Sequence, residues 1–548
     1  MRNIDKFTIA FEGQFWYNVW DKTNLGIKEL YMKKLLLIAM CLVLVATFCC
    51  CEQLPPDDNQ PHKPTDNVFL SELGNPSFYE DFSTEETNLF YSLWKNDTTI
   101  SFQIDIEPSE LYAMSYAYDH RHEDPQLLET YRKCNLTIVV NGVSYYFEEV
   151  GIRMHGNTSK RAFCKEDGIM YALVNFRFKF TETFDGDEYE GTSIYHDWHK
   201  DTPEGKAARK ARKARTFATM EKCYIKWNKS YDTSHTREVF ASRLLWQYGI
   251  MNPHVTWTNI AIKQNGTMEN VGMGTLYETI DEEFVNRYFD KEDQGGDLYK
   301  CLYQGAPADM TKFDNYGIET PSWTPTYDLK TNNDPEEDGY SDHHRLREFI
   351  SEINTLDPYE EGFETDLEKI VPMNYFAQME AVNYLLGNPD CIRNNYNNYY
   401  TYFAPNGLAI FGVYDYDWSL GNTWDNHNIK METIAPNSLE GGLGKCKNPL
   451  YRKTFLEGGN SYYNNLLNEF VAKVLQDDYF TSTYFNTLLD AFEKNYGHLI
   501  APSDALKASL HDVDTYKLSQ LDGRSVHQYI FDKRSTANKA LEALGAKN

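Results

Sequence analysis

Residues 101–106 and 135–140 alternate apolar and polar side chains, the period of strands with one buried face. The second run turns at Asn141-Gly142, a pair that tolerates positive φ, into residues 144–149, so a hairpin is expected there. Residues 151–159 read as a loop, 171–180 as another strand, 238–248 as a helix, and 255–263 and 274–278 as two further strands. From Asp281 onward the apolar spacing becomes helical, at residues 346–353, 374–386, 464–475, 483–496 and 534–544. Two β-rich runs around Ala404-Pro-Asn-Gly407 interrupt this second half. Strands first and helices afterwards, with no internal repeat, predict an α+β chain. With 548 residues, 41% hydrophobic and 15% aromatic, there is ample material for a packed core.

The far ends of the two runs around the Pro-Asn-Gly turn must meet. If Phe403 pairs with Leu408, Asn395 and Tyr396 lie opposite Asp415 and Tyr416, with Asp390 one short loop away. Asp390, Asn395, Asp415 and Asp417 then gather hard oxygen ligands of the kind that suits Mg²⁺. A β-hairpin capped by Asx turns uses the same residue types, and that reading stays open from these residues alone. Protein kinases deploy an Asp that orients the nucleophile, an Asn five residues later on metal, a hairpin, and a metal-binding Asp heading a D-x-G turn. Asp390 to Asn395 reproduces the five-residue step, the preceding His-Arg is absent, and Asp417 stands where the Gly would be.

Further pieces point the same way. They are Gly151-Ile-Arg-Met-His-Gly-Asn-Thr-Ser159, Phe176-Arg-Phe-Lys-Phe180, Asp232-Thr-Ser-His-Thr-Arg237, Gly272-Met-Gly-Thr-Leu-Tyr-Glu-Thr-Ile-Asp281, Leu298-Tyr-Lys300 and the segment from Asn383 to Gly421. In this order they resemble the spore coat protein H (CotH) kinase-like family, over roughly residues 85–535. The resemblance implies an atypical protein-kinase-like bilobal fold: an antiparallel-sheet small lobe over residues 68–280, and a mainly helical large lobe over 281–548 carrying the catalytic hairpin. It implies ATP and Mg²⁺ as donor and metal, with Asp390 as the catalytic residue and Asn395, Asp415 and Asp417 on the metal. Lys179 sits where a kinase places its phosphate-binding Lys, and Arg177 on the same strand face competes with it. Arg153 and Ser159 are expected on the phosphates, and Glu278 as a partner of one of these cations. The acceptor is a protein, glycan or other hydroxyl compound. The competing expectation is a non-catalytic surface module that binds glycan or protein on the same fold.

Location is read from the N-terminus. Met32-Lys-Lys34 is a basic n-region, residues 35–48 are apolar, and Cys49-Cys50-Cys51 closes the run. The run falls short of the about 20 apolar residues of a bilayer-spanning helix, so a cleaved lipoprotein signal is expected. Residues 1–31 then read as an upstream extension, Met32 as the initiator, and the Pro- and Asp-rich residues 52–67 as a tether. Acidic residues after the cysteines resemble the surface-export signal of Bacteroidota lipoproteins, which implies a lipid-anchored protein on the outer-membrane surface. The net charge of −28 argues against nucleic acid as a partner. The six cysteines beyond the signal lack C-x-x-C spacing, so no zinc site is expected. The basic block at residues 202–215 reads as a solvated helix, or as a dock for an acidic substrate.

Overall fold

Period-2 alternation builds the first half of the protein around a closed barrel. The computed structural model describes residues 73–157, 159–227, 232–336, 339–424, 428–510 and 526–545. The signal, the lipidation cysteines and the tether expected before residue 68 lie outside them. Helix α1 (Thr84–Leu93) starts at a capping box between Ser83 and Glu86. Strand β1 (Ile100–Ile106) buries every second side chain. Helix α2 (Pro108–Asp119) leads to β2 (Arg132–Val140), β3 (Val143–His155) and β4 (Asn175–Lys179). Helix α3 (Pro203–Lys213), β5 (Lys222–Trp227), helix α4 (Arg237–Gln247), β6 (Val255–Gln264) and β7 (Thr267–Glu278) follow. The strand order is β1-β2-β3-β4-β5-β7-β6, closed by parallel pairing of β1 with β6 from Ser101↔Asn259 to Ile104↔Ile262.

The mixed α+β class expected from the sequence is the one observed, but the small-lobe sheet is a barrel and not purely antiparallel. β1 uses both of its edges, antiparallel to β2 and parallel to β6, and this leaves no open edge. Phe102, Ile104, Leu136, Ile138, Ile152 and Phe178 fill the interior without solvent exposure.

After the barrel come β8 (Asp297–Cys301), β9 (Tyr316–Gly317) and β10 (Tyr327–Leu329), then helices α5 (His344–Thr355) and α6 (Met373–Leu386). The hairpin β11 (Tyr399–Phe403) and β12 (Ala409–Val413) joins these strands in a second sheet of order β12-β11-β8-β10-β9. Helices α7 (Ser461–Gln476), α8 (Ser482–Tyr496) and α9 (Val526–Ala543) complete the described chain. Phe349 of α5 and Phe376 of α6 pack on Phe411 of β12, with ring centroids 6.1 and 5.0 Å apart. The helices thereby form the core behind the hairpin.

The basic block forms α3, and its arginines serve the fold. Arg209 pairs with Asp185 at 2.6 Å, and Arg212 with Glu149 at 2.6 Å. Arg215 donates to the Glu148 carbonyl at 2.8 Å. Cys134, Cys164, Cys223, Cys301, Cys391 and Cys446 are buried free thiols. No helix among the described residues is long and apolar enough to cross a membrane.

Candidate active site

The hairpin turns on Pro405-Asn-Gly407, with Gly407 at φ 94° and the Gly407 N–H donating to the Ala404 carbonyl (2.9 Å). A loop of three residues shifts the pairing by one from the expected register, to Phe403↔Ala409 and Tyr399↔Val413. Because β11 begins only at Tyr399, Asn398 and not Asn395 abuts the strand opposite, its carbonyl accepting from the Tyr414 N–H at 3.1 Å. Asn395 lies in the turn before β11, where Tyr396 and Asn398 both adopt left-handed φ (56° and 55°).

That turn is built around Asp390. Its Oδ1 accepts from the side-chain amides of Asn395 (2.7 Å) and Asn397 (3.0 Å), and its Oδ2 from that of Asn398 (3.0 Å). The Asp390 N–H donates to Asn388 Oδ1 at 2.9 Å, and Asn388 Nδ2 donates to the Asp415 carbonyl at 3.0 Å. One asparagine therefore ties the two acidic segments together. Burial raises the pKa of Asp390, the Asn395 and Asn397 amides oppose the rise, and Asp415 and Asp417 reinforce it. Asp390, Asn397 and Asn398 line the cleft, and Asn395 does not.

The centre of charge is Lys226, which the sequence reading passed over. On β5 the side chains of Cys223 and Ile225 enter the barrel core, so Tyr224 and Lys226 face the other way, into the cleft. Lys226 Nζ lies 2.6 Å from Glu238 in the first turn of α4, 2.6 Å from Asp415 and 3.5 Å from Asp417. Burial alone would lower the Lys226 pKa, but Asp415, Asp417 and Glu238 outweigh it and hold it well above the lysine value. Burial pushes Glu238 up to about 7 against the pull of Lys226, with Asp417 and Asp415 adding to the rise. The Tyr277 hydroxyl also donates to Glu238. Asp415 is held at φ 63°, a left-handed conformation uncommon for a non-glycine residue.

Three carboxylates around one ammonium leave negative charge in excess, and this excess faces the cleft through Asp415 and Asp417. Two carboxylates completed by phosphate oxygens and water are a sufficient protein contribution for Mg²⁺, so the residues present fit the ion. Among the described residues no group of three or more His, Cys, Asp or Glu side chains is arranged to hold a metal by itself.

The cleft encloses about 700 Å³, and Arg153 and Ser159 are among its lining residues. Arg153 is ion-paired with Glu129, and Lys160 reaches the same carboxylate at 2.9 Å. Ser159 Oγ donates to the His155 carbonyl (3.3 Å) and accepts from Asn175 Nδ2 (3.0 Å). Gly156, at φ 101°, leaves room for that hydroxyl, because a Cβ there would collide with it. The structure does not bring Lys179 to the cleft. Lys179 pairs with Glu182 at 2.8 Å and sits over the Tyr131 ring. Nor does it bring Glu278, which is 1% exposed and bound by Arg287, by His254 at 3.0 Å and by the Tyr288 hydroxyl at 3.2 Å. Burial opposes ionisation of Glu278, but Arg287 and His254 prevail and keep its pKa below the usual value. A signal for Lys226 did exist in the sequence: a lysine in a short apolar strand, followed after a loop by Glu238 in the first turn of the next helix.

A family model described as CotH kinase protein matches residues 204–525, more than half of the chain. This span includes Lys226, Glu238, Asp390, Asp415 and Asp417, and it begins after Arg153, Ser159 and Lys179. No curated protein matches the chain.

Proposed function

The chain belongs to the CotH kinase protein family, and on that premise we propose that it is an atypical kinase that transfers the γ-phosphoryl group of Mg²⁺-bound ATP to a hydroxyl acceptor. The observation that carries this reading is the position of Lys226. It is bound at once by Glu238 of the following helix and by Asp415 behind the hairpin, with Asp390 held across the same cleft. A Lys–Glu pair beside a metal-binding Asp is the arrangement kinases use to grip the donor. The phosphate-binding role expected of Lys179 passes to Lys226.

In this reading Asp390 orients the acceptor hydroxyl and takes its proton. The hydroxyl oxygen bonds to the γ-phosphorus, the bond from that phosphorus to the β-bridging oxygen breaks, and ADP leaves with the electron pair. Mg²⁺, when bound, neutralises charge on the phosphate oxygens, and Asp415 with Asp417 would hold it. Three asparagine amides fix the Asp390 carboxylate, so its orientation is set before substrate arrives. The barrel would serve as the small lobe, and the residues from Asp281 onward as the large one.

Titration of ATP with and without Mg²⁺ into the purified protein tests the reading. Mg²⁺-dependent binding that Lys226→Met abolishes supports it. Absence of nucleotide binding, with binding of glycans instead, replaces it with the non-catalytic module. The proposal extends to a lipid-anchored protein on the outer-membrane surface, resting on residues 32–51. Expression from Met32 should give a globomycin-sensitive, lipid-modified product, and a soluble product without lipid would refute that part.

A further inference from the structure

Most cations of the cleft are already neutralised by the protein. Lys226 has Asp415 and Glu238, Lys222 has Asp281 at 2.8 Å, Arg153 and Lys160 share Glu129, and Lys330 is paired with Asp328 and with Glu319 at 3.3 Å. Arg121, at the rim, donates to the Tyr118 carbonyl at 2.6 Å.

Arg177 on β4 and Lys300 on β8 are different. Neither makes an ion pair or a hydrogen bond among the described residues, where Asp281 acts on Arg177 and Glu319 and Asp328 act on Lys300 only at longer range, and Arg177 Nε is buried without a partner. Arg177 stands directly opposite Arg153 across β3 and β4, a like-charge pair that costs stability unless an anion sits between. Lys300 lies over the ring of Tyr414, 5.1 Å from its centroid.

Between these two cations and the Lys226 centre stands a wall of tyrosines. Tyr224 is the register partner of Arg177, Tyr400 that of Lys300, and Tyr400 packs on Tyr414 at 5.0 Å. All three line the cleft, and none of their hydroxyls makes a hydrogen bond among the described residues. Two cations and three hydroxyl donors thus face the same space unsatisfied. An unmet set of this kind has the composition of an oxyanion site. The neighbouring groups register the surplus charge. His155 is held well below its ordinary pKa by burial first and then by Arg177 and Lys300, and Lys300 itself is brought down to about 8 by burial and by Lys330.

We propose that Arg177, Lys300 and the hydroxyls of Tyr224, Tyr400 and Tyr414 bind the phosphate group of an anionic acceptor, a phosphorylated polyol, and present one of its free hydroxyls to Asp390. The assignment deepens the kinase reading of Asp390 and rests on it. Tyr414 directly precedes Asp415, and its N–H donates to the carbonyl of Asn398 (3.1 Å), whose side-chain amide in turn holds the Asp390 carboxylate at 3.0 Å. A phosphate held by Lys300 over the Tyr414 ring therefore leaves the rest of a sugar-sized molecule at the catalytic carboxylate. The transfer is the one already written, with the hydroxyl proton passing to Asp390 and ADP departing. A basic peptide is disfavoured here by the same two cations.

The test titrates glucose 6-phosphate, and separately glucose, into the full chain saturated with Mg²⁺ and a non-hydrolysable ATP analogue. Glucose 6-phosphate should bind at least tenfold more tightly than glucose. Arg177→Gln and Lys300→Met should each weaken it at least tenfold while leaving the ATP analogue within twofold, and Arg177→Lys should recover most of the loss. Thermal melting identifies a variant that fails to fold, and Lys300→Arg then replaces the neutral variant as the graded measurement. Binding of the analogue without binding of glucose 6-phosphate overturns the acceptor site alone. Equal weakening of the analogue in Arg177→Gln assigns the cations to the donor and overturns it as well. Failure of the unaltered protein to bind the analogue overturns the kinase reading, and the acceptor role with it.

Discussion

Lys226 and Asp415 lie 189 positions apart in the chain and 2.6 Å apart in space, joining the barrel to the segment behind the hairpin. The Lys226 side chain is 8% exposed and its ammonium is shared with Glu238, so its removal leaves like-charged carboxylates facing one another. Lys226→Met should lower phosphoryl transfer at least a hundredfold and weaken nucleotide binding. Lys179→Met should leave both within about threefold, because that side chain is spent on Glu182. Radiolabel transfer from ATP, measured on both variants in parallel with thermal melting, decides between the two lysines.

Asp390→Asn should reduce turnover by about 10²–10⁴, the usual contribution of a positioned general base, with little change in nucleotide affinity. The substitution also carries a structural cost. An asparagine turns an amide donor toward one of the amides of Asn395, Asn397 and Asn398, so stability should fall by about 1–3 kcal/mol. Single-turnover kinetics beside a denaturant titration separates the two effects.

Asp415 and Asp417 both face Lys226, but not equally. Asp415 touches it at 2.6 Å and its side chain is 31% exposed to the cleft, whereas Asp417 stands at 3.5 Å and is 10% exposed. Asp415→Asn should therefore cost more Mg²⁺-dependent nucleotide affinity than Asp417→Asn, at least tenfold against a few-fold. Chelation of Mg²⁺ should erase the difference between the variants and the unaltered protein. Equal losses would mean that the two carboxylates chelate together.

Much of this centre was legible in the chain because a turn signal constrains what lies beyond it. Pro405-Asn-Gly407 forces the hairpin to reverse, and that alone brings the Asp390 segment back toward Asp415 and Asp417. The register was missed by one residue because an Asn-Gly pair does not reveal whether the loop has two residues or three. Asn395 was placed on the strand because the tyrosine- and asparagine-rich run reads as continuous, whereas β11 begins only at Tyr399. Lys226 was harder to read for a different reason. β5 has six residues, of which all but Lys222 are buried, so no apolar-polar alternation marks it as a strand. Lys179 drew attention because β4 does alternate, yet Glu182, three residues on, claims its charge. Closure of the barrel was equally hidden, since parallel pairing of β1 with β6 joins segments with no turn between them to announce it.

His235 offers a check on the core that is independent of catalysis. It precedes α4 at φ 55° and stacks on Phe492 with centroids 5.1 Å apart. Both of its ring nitrogens are buried without a partner among the described residues. Burial brings its pKa down to about 4, with Asp232 opposing the shift. The unfolded chain then binds a proton between about pH 6.5 and 4 that the folded protein refuses, so this residue's contribution to stability is lost as pH falls through that window. The full penalty, reached below pH 4, is roughly 3 kcal/mol from the size of the shift. Glu238, pushed up to about 7, has the opposite slope between about pH 4.5 and 7, so the unaltered protein alone does not isolate the histidine. His235→Phe keeps a ring on Phe492 and removes the titration. The stability difference between this variant and the unaltered protein should be constant above about pH 7. It should shift in the variant's favour by roughly 3 kcal/mol as the pH is lowered to 4 and below. Urea denaturation of both proteins across this range measures it, and parallel curves at every pH would mean that His235 accepts its proton in the folded state.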